Sequence, residues 1–275
     1  MFLQCGKFSL SLSRPLIMGV VNVTPDSFSD GGKWVTAQAA IHHATQLINE
    51  GADIVDIGGE STRPGAEPVS LEEELRRVLP VLEGLKSVDV PVSVDTYKPE
   101  VMRAAISAGA SMINDVNALL APGAVAAVAA SGAALCLMHK QGEPKTMQLN
   151  PQYEDVLAEV ADFLKARVAA MEAAGVARER ICIDPGIGFG KNLEHNLSLL
   201  RNIGRLKAIG VPVLIGVSRK SLLGKISGLE VYDRVQVSAV AAVLAVRQGA
   251  AIVRVHDVKA TKDALAVYNA VGREA

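Results

Sequence analysis

The sequence predicts an α/β fold, a (β/α)8 barrel preceded by a short β-hairpin, in a single domain spanning residues 1–275. Three observations carry this. Eight short apolar runs alternate with eight segments of helical periodicity, which indicates a parallel sheet covered on both faces. The runs share recurring headers, Gly-Ala or Val-Pro-Val, as repeats of one unit would. Nearly every run also ends in a hydrogen-bonding side chain, and in such a barrel the strand ends build the active site.

In chain order, residues 1–14 alternate weakly around a Gly6-Lys7 turn and suggest a hairpin that plugs the barrel floor. The first barrel strand follows, residues 16–21, ending at Asn22. The others run through 53–57 with Asp56, 92–95 with Asp95, 110–114 with Asn114, 135–138 before His139, 181–183 before Asp184, 213–216 before Ser218, and 250–254 with Arg254. Helices are expected over 35–50, 71–86, 99–108, 123–130, 153–174, 193–207, 233–247 and 259–271. An open doubly wound sheet is the rival, but Asn22-Val23-Thr24-Pro25-Asp26 after the first strand lacks the glycine fingerprint of such folds.

Composition narrows the function. The formal net charge is −1 with no long basic run, which argues against a nucleic-acid partner. The uncharged stretch 117–138 is long enough to cross a membrane, yet Pro122-Gly123 and Ser131-Gly132 divide it into a helix and a strand. Three cysteines, far apart in sequence and without metal-ligand spacing, suit a reducing cytoplasm, and no basic-then-apolar signal opens the chain.

The rim chemistry is that of a small anionic ligand. One polar strand end is ordinarily a cap; carboxylates, amides and cations on eight consecutive ends make a site. Arg254 and His256 alternate along one strand and share a face, after the strand where these barrels habitually bind phosphate. Asn114 and Asp115 point to opposite sides, and parity alone does not decide which one faces the axis. The run Asp184-Pro185-Gly186-Ile187-Gly188-Phe189-Gly190-Lys191 departs from Walker spacing; its glycines let backbone pass close to a flat ligand. Residues 23–33 and 58–68 read as lids, the second carrying Ser61, Thr62 and Arg63.

Five stretches together resemble the signatures of the dihydropteroate synthase family: residues 18–32, from Met18 through Asn22 and Phe28; Gly58-Gly59-Glu60-Ser61-Thr62-Arg63-Pro64-Gly65; Ser93-Val94-Asp95-Thr96; the 184–191 run; and Ser218-Arg219-Lys220-Ser221. The resemblance implies condensation of 6-hydroxymethyl-7,8-dihydropterin diphosphate with 4-aminobenzoate to dihydropteroate and diphosphate, with Mg2+, in a homodimer that sulfonamides target. It assigns Asp95, Asn114 and Asp184 to the pterin edge, Lys220 to the ring carbonyl and N5, and Arg254 to the ring face. Asn22, Arg63, Arg254 and His256 hold diphosphate, with Asn22 also a Mg2+ ligand; Thr62, Ser218, Phe28, Pro64, Phe189 and Lys220 frame the aminobenzoate. Arg63, Asp95, Lys220, Arg254 and His256 carry catalysis, and Asp56 orients its neighbours. Lys140 departs from the family, which usually has an apolar residue there. The rivals are a pterin-binding methyltransferase domain, a Schiff-base aldolase acting through Lys191 or Lys220, and a non-catalytic pterin-binding protein.

Overall fold

The structure is a computed structural model that describes residues 1–23, 33–61, 67–142 and 146–272. An antiparallel hairpin of β1 (Phe2–Cys5) and β2 (Phe8–Ser11) turns on Gly6, whose φ of 57° lies in the left-handed region that glycine enters without strain. Eight parallel strands follow: β3 (Leu16–Asn22), β4 (Ile54–Gly58), β5 (Val92–Asp95), β6 (Met112–Asp115), β7 (Ala134–Met138), β8 (Ile181–Asp184), β9 (Leu214–Gly216) and β10 (Ile252–Val255). They pair in the order β8-β7-β6-β5-β4-β3-β10-β9. A bridge between Ile183 and Val213, with the Ile183 N–H donating to the Pro212 carbonyl at 2.9 Å, joins the two ends and closes the barrel.

The helices between strands are α1 (Lys33–Glu50), α2 (Leu71–Gly84), α3 (Pro99–Ser107), α4 (Ala124–Ala129), α5 (Val156–Ala173), α6 (Leu193–Arg201), α7 (Ile203–Leu206), α8 (Ser221–Ser227), α9 (Val235–Arg247) and α10 (Val258–Val271). Local chemistry sets several starts. Ser70 accepts from the Glu73 N–H at the head of α2, Asp155 caps α5, and Asn192 with His195 forms a reciprocal cap on α6. Two expectations need correction. The helix expected over 193–207 breaks at Asn202, which caps the end of α6 and precedes α7. The seven residues of α8, closed by Gly228 at φ 74°, are too few for their apolar spacing to stand out in the sequence.

Alternation along the strands sorts side chains into two separate apolar clusters. Ile17, Val21, Val55, Ile57, Val92, Val94, Ile113, Leu135, Leu137, Ile183 and Val253 pack outward against the helices. Leu16, Met18, Ile54, Met112, Ala134, Cys136, Cys182, Leu214 and Ile252 face inward and pack with Leu3 and Cys5 of the hairpin. The hairpin therefore does plug the floor. Two residues further along the strands, the inward positions change character: Ile54 is succeeded by Asp56, Met112 by Asn114, Cys182 by Asp184 and Ile252 by Arg254. A dry floor supports a polar upper layer.

Leu3 is fully buried at the centre of this floor. Leu3→Ala is expected to cost about 2–5 kcal/mol in urea unfolding, the range for buried leucines truncated where the surroundings cannot collapse. A loss below about 1 kcal/mol would mean that the hairpin does not fill the barrel.

Candidate active site

At the carboxyl ends of the strands, Asp95, Asn114, Asp184, Lys220, Arg254 and Phe189 line one cavity together with Val116, Met138 and Gly216. Register explains the convergence: Asp95 pairs with Asn114 across β5 and β6, Gly58 with Asp95 across β4 and β5, and Asn22 with Gly58 across β3 and β4. Polar side chains from separated segments thus sit at one height of the barrel.

Arg254 organises the cavity. Its Nε donates to Asp56 Oδ2 at 2.6 Å and one terminal nitrogen to Asp95 Oδ2 at 2.8 Å. Asn114 Nδ2 donates to the same Asp56 oxygen at 3.0 Å. This settles the open parity: Asn114 faces the axis. Asp115 turns away and accepts from the backbone N–H groups of Asn117 and Leu119, both at 2.7 Å. Its carboxyl is pushed up to about 6 by burial, with Lys140 among the groups that pull it back. The charge that departs from the family pattern thus has an electrostatic partner outside the barrel.

Asp56 does more than orient its neighbours. Fully buried, it holds both Arg254 and Asn114, while its Oδ1 and the hydroxyl of its register partner Ser93 have no hydrogen-bond partner among the described residues. The position of Asp56 two residues before the end of β4, on the inward parity, was the available signal.

Burial dominates the electrostatics. It pushes the Asp95 carboxyl up to about 7, opposed by Arg254, and raises Asp184 against the pull of Lys220 and the Gly186 N–H. Lys220 is pushed down to about 8 by the same desolvation, partly restored by Asp184. Burial would lower the Arg254 guanidinium, but Asp56 and Asp95 outweigh it and hold the charge firmly in place. Acids and bases with pKa values driven together toward neutrality are the mark of a site built for a ligand.

Lys220 is placed from two directions. Its Nζ donates to the Ile187 carbonyl and lies 4.7 Å from the Phe189 ring centroid. On the rim, Ser218 Oγ accepts from the His256 N–H at 3.2 Å and lies 3.1 Å from His256 Nδ1, so these two expected residues are brought together. Asn22 ends β3 beside Gly58, where an added Cβ would lie 3.9 Å from Asn22 Oδ1. Thr62, Arg63, Pro64 and Phe28, with residues 24–32 of the first expected lid and 62–66 of the second, lie outside the described residues. Lys191 does not serve the aldolase reading: it is buried, and its Nζ donates to the carbonyls of Gly186 at 3.1 Å and Phe189 at 3.0 Å.

The three cysteines, distant in sequence, all belong to the barrel floor beneath this layer, free and fully buried. Among the described residues no three His, Cys, Asp or Glu gather to hold a metal ion, and no helix is long and apolar enough to cross a membrane.

The comparisons with known proteins agree with this geometry. Residues 18–256 match the family model described as pterin binding enzyme. Dihydropteroate synthase of Neisseria meningitidis serogroup B is 54% identical over 276 residues, covering 98% of this chain and 97% of that protein. Among solved structures, Xanthomonas albilineans dihydropteroate synthase with 4-aminobenzoic acid superposes with a TM-score of 0.94 at 53% identity, covering 100% of this chain and 99% of the other. Burkholderia cenocepacia dihydropteroate synthase complexed with 7,8-dihydropteroate does so with 0.90 at 51% identity, covering 98% and 96%. With its deep acids, its clamped arginine and these full-length likenesses, the chain belongs to the dihydropteroate synthase family of pterin-binding enzymes.

Proposed function

We propose that this enzyme condenses 6-hydroxymethyl-7,8-dihydropterin diphosphate with 4-aminobenzoate, giving 7,8-dihydropteroate and diphosphate. The observation that carries the reading is the convergence of Asp95, Asn114 and Asp184 with Lys220 and Arg254 on one cavity. A pterin ring offers an edge of N–H donors for the acids, a carbonyl oxygen and N5 for the ammonium, and a face for the guanidinium. Ligands that lack these donors leave buried acids unpaired, so selectivity is steep.

The chemistry follows from placement. No nucleophilic triad is needed if diphosphate leaves first and the electron-rich pterin delocalises the cation left on its exocyclic carbon. The Asp95 carboxylate stabilises that cation, and Arg254 and His256, joined by Arg63, stabilise the departing charge. Thr62, Ser218, Phe28, Pro64 and Phe189 frame the aromatic amine, which attacks last. The family implies Mg2+. The Asn22 amide oxygen at the mouth, a hard oxygen donor of the kind Mg2+ takes, would hold such an ion. When bound, such an ion would supply charge neutralisation of the leaving group. The deciding assay is diphosphate release with and without 4-aminobenzoate and Mg2+; pterin binding without any release identifies a non-catalytic binder.

A homodimer in the cytoplasm is part of the same reading. Val240 and Leu244 of α9 and Val267 and Val271 of α10 are exposed apolar pairs, one helical turn apart, on helices that pack together. A sedimentation mass of one chain, 28.9 kDa, would refute the dimer.

Asp184→Asn is expected to weaken pterin binding by more than about 1.4 kcal/mol, roughly tenfold, in calorimetry. Unchanged affinity would remove the acid from the pterin site. The pH dependence has a definite sign. Falling pH protonates Asp95, whose pKa is pushed up to about 7, and removes an acceptor; rising pH strips Lys220, pushed down to about 8, of its charge. Pterin affinity is therefore expected to peak between these values and fall on both sides, and a flat profile from pH 5 to 9 would contradict these assignments.

A further inference from the structure

The eight-residue turn from Asp184 to Lys191 supplies the cavity with an acid, with a carbonyl that positions Lys220 and with an aromatic ring, although it belongs to neither a helix nor a strand beyond its first residue. Its backbone is pressed on the segment after β7. A Cβ on Gly186 would meet the His139 carbonyl oxygen at 1.8 Å, and one on Gly190 the Gln141 carbonyl oxygen at 2.1 Å, while both residues have positive φ. Such close approach turns several carbonyls inward together. The Gly186 carbonyl accepts from the Phe189 N–H at 3.1 Å, and the convergence leaves room for a further donor among them.

Lys191 is the donor. Its side chain is 2% exposed, and its Nζ lies 3.0 Å from His139 Nδ1, 3.0 Å from the Phe189 carbonyl, 3.1 Å from that of Gly186 and 3.4 Å from that of His139. These contacts take up the donors of its amino group, which burial pushes down to about 7 against the pull of Asp184, so it neither reaches the cavity nor reacts there. What it holds does reach the cavity. The Gly186 N–H donates to Asp184 Oδ1 at 2.7 Å and fixes the carboxylate, leaving its second oxygen for a ligand. The Ile187 carbonyl accepts from Lys220 Nζ, and the Phe189 ring lies under the same ammonium. We propose that Lys191 is a positioning residue for pterin binding, a buried amino group around which the 184–190 turn is wrapped so that Asp184, Lys220 and Phe189 face the ring in fixed register.

Two further facts accord with this. The imidazole of His139, 7% exposed and edge-on to Phe163 with ring centroids 4.9 Å apart, is pushed down to about 3 by burial and by Lys191, so it stays neutral and accepts through Nδ1. The rest of the turn is tied to neighbouring elements rather than to the sheet: the Gly188 N–H donates to Asn196 Oδ1 at 2.7 Å, and the Tyr153 hydroxyl to the Gly190 carbonyl at 3.0 Å. Lys191 is the central pin of that scaffold.

The inference rests on the pterin reading of the cavity, and the experiment separates the two. Binding of 6-hydroxymethylpterin is measured by calorimetry for the parent protein, Lys191→Met and Lys191→Arg, beside urea unfolding and hydrogen exchange of the peptides covering 184–191. Lys191→Met is expected to bind about tenfold more weakly or worse, with faster exchange confined to that turn, and Lys191→Arg to recover part of the affinity. A folded Lys191→Met with affinity within about twofold of the parent would overturn the proposal and leave Lys191 a purely structural lysine, whatever its unfolding midpoint. If Lys191→Met does not fold, Lys191→Gln decides: one bond shorter and with two N–H donors, it cannot span the same acceptors, so weaker binding with faster exchange over 184–191 is expected, and parent-like affinity with parent-like exchange there overturns the proposal. A parent that binds no pterin would refute the reading of the cavity itself.

Discussion

The guanidinium of Arg254 is the constraint on which the upper half of the barrel depends. It is clamped between Asp56 and Asp95, and Asp56 in turn receives Asn114, so strands β4, β5, β6 and β10 are tied by charge at one level. A buried carboxylate or guanidinium alone is costly, and deleting one partner of such a set ordinarily loses about 3–5 kcal/mol because the other is stranded. The network holds because each charge answers another. It also means that the ligand does not meet flexible side chains in search of partners. It meets groups already oriented by mutual need, which is the condition for sharp discrimination and for electrostatic catalysis without reorganisation.

The protein creates this layer with a two-residue step along the strands. Inward positions are apolar where the hairpin packs and polar one pleat higher, so the hydrophobic floor and the reactive layer share the same strands. The floor excludes water from below and keeps the effective dielectric low, which is why burial dominates the shifts of Asp95, Asp184 and Lys220. Site and core are therefore one construction. A loosened floor would weaken the interactions above it.

The barrel was legible because its signals are periodic: apolar runs recur eight times, most of them with a Gly-Ala or Val-Pro-Val header and a polar end, and register pairs Asp95 with Asn114. What the sequence hid was contact across large separations. Asp56 and Arg254 stand 198 residues apart, and nothing local marks one as the anchor of the other. Parity could not choose between Asn114 and Asp115, because both are polar; only the neighbours of each decide it. The lysine at the end of the 184–191 run reads as a phosphate ligand or a nucleophile, and becomes a buried pin only when the carbonyls of its own turn are seen to converge on it. The break at Asn202 and the brief α8 show the ordinary limit of short helices, whose existence tertiary packing decides.

The sulfur chemistry of the floor has a practical consequence. All three thiols of the chain are enclosed; burial pushes Cys5 up to about 12, and a hydrogen bond with Cys182 together with burial raises Cys136, so alkylating reagents find little exposed thiolate to attack. The native protein is thereby an almost silent background for maleimide chemistry. A cysteine introduced at the mouth could carry a fluorophore or a spin label alone, and the movement of the opening could be followed without first stripping the barrel of its own sulfur.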